Sequence, residues 1–393
     1  MGRNGIHALV LGLILSVALE SCATSRKSPL RTQNRVVAPS TAAPTLPSAK
    51  PTVLIEGLAG PTQIAFGPSG TWLVTELGGE EPSGDENGST GRVLLIDPAT
   101  KAQRVLAKGL DKPTGVAWIN GVVWIMVRRG ILRLALPTAP LSSLMMEPSA
   151  AAAAPEVSVV LADLPFNGRS EGTLTPLANG TFLYETTGNI VNNPASGEPE
   201  PQPGSGTLWS FDPKTNTSSA IAVGLKNSYA HVVLSDARIA TTEIGDNISI
   251  EPLDEVNIVE TNDLGKGNGV TADKAPQSFG WPTCDAAGKP LAKADTERCS
   301  AATPALRFFP AHLTPTGIAQ YRNDLYVSLF VGGQIMRLPN DALTPTKTPL
   351  NKRPAMQLWA SDLEGPHTLL VDGTRLLVTE TTAGQIVAFS LPK

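Results

Sequence analysis

The chain has 393 residues, with 31 Lys and Arg against 35 Asp and Glu and a formal charge of -4. Balanced charge without a basic cluster excludes the electrostatic footprint of a nucleic-acid binder. Only 17% of residues are charged, and 36 Gly and 34 Pro punctuate short runs of Val, Ile, Leu and Thr, a composition of strands joined by turns.

At the N-terminus Arg3 precedes an apolar run from Ile6 to Leu19, too short to span a bilayer comfortably, which reads as an export signal. The run ends in Leu19-Glu20-Ser21-Cys22-Ala23 and resembles the lipobox of bacterial lipoproteins, in which the cysteine is diacylated. Residues 1–22 are therefore expected to be signal and lipobox, with Cys22 lipidated. Glu20 stands where a small or apolar residue is usual, so plain cleavage near Ala23 stays open. Residues 23–50 are polar and rich in Pro, Ser and Thr, a tether that buries nothing. The expected location is the bacterial cell envelope, on the periplasmic or extracellular face, held to the membrane by lipid.

Residues 51–393 carry a repeat. A Leu closes one segment shortly before the next begins, in Gly57-Leu58, Gly109-Leu110, Asp163-Leu164, Gly224-Leu225, His312-Leu313 and Asp362-Leu363. Periods of this size mark propeller blades. Each interval repeats a first strand such as Gln63 to Phe66 and a second such as Trp72 to Glu76. The other second strands are Val123 to Val127, Phe182 to Thr186, Ile239 to Glu243, Leu325 to Leu329 and Leu376 to Glu380. Third strands follow at Arg92, Ile131, Thr207, Asp254, Gln334 and Gln385. Their near-continuous apolar runs fit strands buried on both faces. The last interval ends one strand short, and an unattached strand with the fourth-strand pattern precedes the first. The fold expected is an all-β, six-bladed β-propeller whose last blade is closed by residues 52–57. A two-sheet sandwich is the alternative; it leaves the repeat unexplained. The insert from Pro137 to Pro155 reads as an irregular loop on the outer or opposite side.

Cys284 and Cys299 are the cysteines left in the mature chain, and an exported protein is expected to pair them; a metal site lacks a CxxC or a neighbouring His. In such a ring the second-to-third loops and the fourth-to-first crossings share one mouth. Glu76, Glu243 and Glu380 end second strands in one register, and with Asp246 they are the candidate ligands of a hard cation such as calcium. The bland reading makes each a strand-end residue bonded to loop backbone. Asp85, Glu86, Asn87 and Asn247 add acidic and polar loops nearby. His231, His312 and His367 fall at fourth-to-first crossings, near the same mouth, where histidine can serve as a base or as a structural hydrogen-bonding group.

From Leu164 to Leu338, through LPFNGRSEGTL, TTGN, VGLKNSYAHVV, TTEIGDN, DEVNIVE and FGWPTC, the chain resembles the soluble quinoprotein glucose/sorbosone dehydrogenases. These are six-bladed propellers that bind pyrroloquinoline quinone, often with calcium, and oxidise sugars. Blades one, two and six resemble NHL-repeat or gluconolactonase blades. The resemblance implies cofactor contacts at Arg169, Lys226, Asn227 and His367. Arg169 occupies the position of the family's histidine base, and an arginine cannot accept a proton. Lys226-Asn227 stands for the family's Arg-Asn pair. Ser328-Leu329-Phe330 and Gly365-Pro366-His367 replace later Lys and Arg contacts. Three readings follow. The first is a quinone-dependent sugar oxidoreductase using His231 or Glu243 as its base. The second is a propeller that binds a sugar-like ligand or a protein partner without turnover. The third is a calcium-dependent lactonase acting through Glu76, Glu243 and Glu380.

Overall fold

The structure is a computed structural model that describes residues 50–81, 84, 88–137, 139–146, 156–166, 171–188, 203–245, 253–261, 275–284, 290, 296–310, 312–339 and 356–392. Signal, lipobox Cys22 and most of the tether lie outside them, as do Arg169, Asp246, Asn247, Asp85, Glu86 and Asn87.

Six antiparallel sheets form the ring. Blade 1 consists of Pro61–Phe66, Trp72–Glu76, Gly91–Ile96 and Gln103–Leu110. Blade 2 follows with Gly115–Ile119, Val122–Val127, Gly130–Ala135 and Val157–Leu161. Blade 3 has Thr175–Pro176, Phe182–Thr186, Thr207–Asp212 and Thr217–Val223. Blade 4 has His231–Val233, Ile239–Glu243, Asp254–Val259 and Arg307–Phe309. Blade 5 runs through Pro315–Tyr321, Asp324–Leu329, Gln334–Leu338 and Gln357–Ala360.

Blade 6 supplies Pro366–Asp372, Arg375–Glu380 and Gln385–Ser390, and takes its fourth strand from Thr52–Ile55. Thr52 pairs with Ala388 and Val53 with Val387, so the ring closes on a strand from the start of the fold. The closing strand stops at Ile55, short of residue 57, because Gly57 turns to φ +75°. That turn recurs. The residue before each closing Leu is left-handed in all six crossings: Gly57, Gly109, Asp163, Gly224, His312 and Asp362. Gly tolerates this conformation and Asp and His enter it more readily than most, which accounts for the residues seen there.

Neighbouring blades meet through six apolar clusters, one for each interface. Trp72 and Ile64 pack against Leu377 and Ile386 where the ends of the chain join. Each such buried Leu, Ile or Val contributes roughly 1.5–3 kcal/mol. Around the channel the inner strands are stitched by threonines that follow the crossing. Thr62 Oγ1 donates to the Pro113 carbonyl at 2.9 Å, Thr114 Oγ1 to Gly172 at 3.1 Å, and Thr368 Oγ1 to Thr62 at 2.8 Å. A Cβ at Gly172 would lie 2.0 Å from the Tyr229 carbonyl oxygen, so only glycine admits this approach of blades 3 and 4.

Two inserts depart from expectation. Within the segment read as an irregular loop, Leu141–Met145 form a short helix whose buried Leu144 joins the core between blades 1 and 2. The Arg104 guanidinium donates to the Leu144 carbonyl and holds it there. Residues 147–155 lie outside the described residues. The cysteine segment of blade 4 returns to blade 3, where Gln277–Ser278 runs parallel to Ala222 and Val223 as a fifth strand. Cys284 and Cys299 form the expected disulfide, with Cα atoms 5.5 Å apart.

Candidate functional site

The second strands end where the sequence places them, yet their glutamates do not converge on the channel. Glu76 accepts the Ala59 N–H at 2.8 Å and the Arg92 guanidinium at 2.7 and 2.8 Å. Glu380 accepts the Glu364 N–H at 2.8 Å and the Gln385 amide at 2.6 Å. Glu243 accepts the Lys226 N–H at 2.7 Å and the Asn257 amide at 3.0 Å. In each case one oxygen latches the residue after the closing Leu and the other is held from the third strand. Each of Glu76, Glu243 and Glu380 is thus a blade latch; Asp246, the fourth expected ligand, lies outside the described residues, which contain no cluster of three or more metal-ligating groups.

The mouth itself holds a cavity of about 510 Å³. Its wall is built by the crossings and by the first residues of the inner strands: Thr62, Lys112, Thr114, Asn227, Tyr229, Thr316, Phe330 and His367. His367 lies between two rings. It meets Tyr229 edge-on at 5.2 Å and Phe330 at 5.8 Å, and its Nε2 is 3.0 Å from the Tyr229 hydroxyl. Burial pushes His367 down to about 3, against the pull of the Thr62 backbone, so the ring is neutral at any ordinary pH. Asn227 is buried with Oδ1 unpartnered at the cavity wall. Asp254, also on the wall, accepts the Gly245 N–H at 2.8 Å and the Thr314 N–H at 2.6 Å. Burial raises its pKa against these bonds.

His312 and His367 line the mouth as expected, but His231 does not. It lines a second cavity of about 390 Å³ farther along the inner strands, beside Trp118 and Phe66. There its Nδ1 lies 2.9 Å from Thr175 Oγ1, and burial lowers it to about 3. The His231-to-mouth assignment is corrected: Tyr229 lines the mouth, and His231, two residues farther on, sits at the level of Thr175. Lys226 is buried behind the wall, with its ammonium donating to the Gly245 carbonyl.

Sequence reasoning missed two acids. Glu185 replaces, one residue before the latch register, the threonines that bond within blades 1, 4 and 6. It instead crosses to blade 4, where Oε2 accepts the Ser228 N–H at 3.0 Å and Oε1 has no partner. Burial first, and then the charges of Glu171 and Glu243, hold it well above the carboxylate range. Glu171 accepts the Arg129 N–H at 3.1 Å, and burial pushes it up to about 7. Burial likewise raises Glu243 to about 7 against the Lys226 N–H and charge and the Asn257 amide. Comparing Phe182-Leu-Tyr-Glu-Thr with Ile239-Ala-Thr-Thr-Glu position by position would have exposed the Glu185 exchange.

A quinone with three carboxylates needs several cations. The described residues of the wall include Lys112, Asp254 and His312, with Phe330 and a neutral His367 at the positions the resemblance assigns to contacts. That donor set does not fit the trianion. Among the described residues calcium fits no better, since the latch glutamates and both Asp254 oxygens are committed to backbone and neighbouring side chains.

No protein-family model and no curated protein sequence matches the chain. Solved structures do. A Trichoderma reesei carbohydrate-active enzyme of family AA12 superposes with TM-score 0.65 and 16% identity, covering 88% of this chain and 97% of the other. A PQQ-bound aldose sugar dehydrogenase from Streptomyces coelicolor gives 0.61 and 16% over 88% and 99%. The holo PQQ domain of a pyranose dehydrogenase from Coprinopsis cinerea gives 0.61 and 14% over 89% and 99%. At such identities the likeness shows the fold alone, a six-bladed β-propeller.

Proposed function

We propose that this propeller binds a neutral, hydroxyl-rich, sugar-like molecule in its mouth cavity. The observation that carries the reading is the buried Asn227 of the cavity wall, whose Oδ1 has no partner in the protein. The surroundings agree. The hydroxyl oxygens of Thr62, Thr114 and Thr316, whose hydrogens are given to the crossings, add acceptors, and Phe330 offers a ring face for an apolar sugar face. One lysine and one aspartate leave the described wall without net charge, which favours a neutral sugar over a polyanion. The solved sugar dehydrogenases supply the scaffold precedent, and the chemistry of the wall supports recognition rather than quinone-driven oxidation.

His367 is too weakly basic to take a sugar proton efficiently. We further infer that the propeller is exported and anchored through lipid on Cys22, so that it meets its ligand outside the cytoplasm. Equilibrium dialysis of the full chain against D-glucose, D-gluconate and pyrroloquinoline quinone tests the reading: retention of the neutral aldose over both anions is expected. Retention of the quinone, followed by dye reduction with aldoses, would restore the oxidoreductase reading. Expression in a bacterial host should move the protein from membrane to soluble fraction on Cys22→Ser.

A further inference from the structure

We propose that Trp281, carried on the disulfide-closed insert of blade 4, is the positioning residue of the mouth: it holds Lys226 behind the wall and thereby sets preference for neutral over acidic sugars. The inference rests on the sugar-binding reading above.

The insert crosses from blade 4 to the outer edge of blade 3 and is fastened there by backbone. Phe279 N–H donates to the Val223 carbonyl at 3.0 Å and Trp281 N–H to the Gly224 carbonyl at 2.8 Å. Those bonds deliver Trp281 beside Leu225-Lys226, at the crossing into blade 4. The turn that carries it is closed on itself. Cys284 N–H and Thr283 Oγ1 both donate to the Gly280 carbonyl, at 2.9 and 2.8 Å, and the disulfide ties Cys284 to Cys299 in the helix Thr296–Ala301. Gly280 sits at φ +96°, and a Cβ there would lie 2.8 Å from Cys284 Sγ, so the turn requires glycine.

The Trp281 ring lies under the Lys226 ammonium, 5.9 Å from ring centroid to Nζ. Its Nε1 is buried without a hydrogen-bond partner, a cost that the ring position offsets by facing a buried cation. The ammonium then donates to the Gly245 carbonyl, while the Gly245 N–H is fixed by Asp254 Oδ1 at 2.8 Å. Ile244 N–H donates to the Asn227 carbonyl at 2.9 Å. Asn227, Gly245 and Asp254 are cavity wall. A continuous set of contacts therefore runs from disulfide to ligand face. With the ring gone, a buried ammonium loses its apolar support and turns toward the cavity, where it would attract a carboxylate.

The test titrates full-length wild type, Trp281→Phe, Trp281→Leu and the double variant Cys284→Ser/Cys299→Ser with D-glucose and D-gluconate, and follows exchange of the Gly245 amide. Trp281→Leu is expected to weaken D-glucose about tenfold, to raise the gluconate-to-glucose affinity ratio and to speed Gly245 exchange. Trp281→Phe, which keeps a ring face, should rescue most of each effect, and the cysteine variant should follow Trp281→Leu. A Trp281→Leu protein with native near-UV circular dichroism, an unchanged ratio and unchanged exchange overturns the proposal. Should that variant fail to fold, Lys226→Met is decisive: faster Gly245 exchange without any gain in gluconate binding supports the strut, and unchanged exchange overturns it. If wild type binds neither sugar, the sugar-binding reading fails, while the Gly245 exchange still reads the Trp281 tie.

Discussion

Blades 1, 4 and 6 carry a glutamate at the same register, and the two halves of the ring use their buried polar groups differently. Where the chain closes on itself, Glu76 is gripped by Arg92 and Ala59 and Glu380 by Gln385 and Glu364, so both carboxylates are saturated. In blades 3 and 4 the latch Glu243 has Asn257, Glu185 and Asn227 nearby in sequence or space, each with one oxygen lacking a partner. Saturated polar groups hold a fold. Unsatisfied buried ones lower stability and are retained where a ligand completes them.

The largest effect should come from breaking the closed half. Deleting Thr52–Ile55 removes the fourth strand of blade 6 and bares the partner edge along Ile386 to Ala388, so the cooperative thermal transition is expected to vanish. Next in size is Glu76→Ala, which strands a buried Ala59 N–H and the Arg92 guanidinium. A loss of about 3 kcal/mol is expected in urea unfolding, against about 2 kcal/mol for Glu380→Ala, whose side-chain partner is neutral.

The other half should show itself in pH dependence. Glu171 and Glu243 have folded pKa values raised to about 7 from 4.5, so the native state binds more protons across that window and their contribution is lost as pH rises toward and past 7. His231 and His367 are lowered to about 3 from 6.5, so their contribution is present above the unfolded value and is lost as pH falls. Melting temperature is expected to peak at roughly pH 5 to 6 and to fall on both sides. Glu171→Gln and Glu243→Gln should flatten the alkaline limb. The smallest change in stability is expected for Asn227→Leu, within about 1 kcal/mol of wild type because it removes an unpaired acceptor. Its binding should nevertheless be abolished.

The ring was legible in the sequence because its causes repeat. Six left-handed crossings demand Gly, Asp or another tolerant residue before the closing Leu, and two-sided burial makes the strands apolar throughout. The displaced strand was legible because the last interval lacked a fourth. Side-chain direction was not. Glu76, Glu243 and Glu380 share a register, but whether a strand-end carboxylate faces the channel or folds back on a crossing depends on Ala59, Lys226 and Glu364, which lie 16 or 17 residues away. The threonines of the inner stitching stand in the sequence as Pro61-Thr62, Pro113-Thr114 and Pro315-Thr316, each directly after a proline of the crossing. His231 was misplaced because two residues along the chain, from Tyr229 to His231, exchange the mouth for the second cavity.

Isothermal titration of the full chain with D-glucose, for wild type and Asn227→Leu in parallel, addresses the sugar site most directly. The site described here predicts saturable 1:1 heat from wild type and none from a variant that melts normally. Equal heats from the two proteins, or none from wild type, would contradict it.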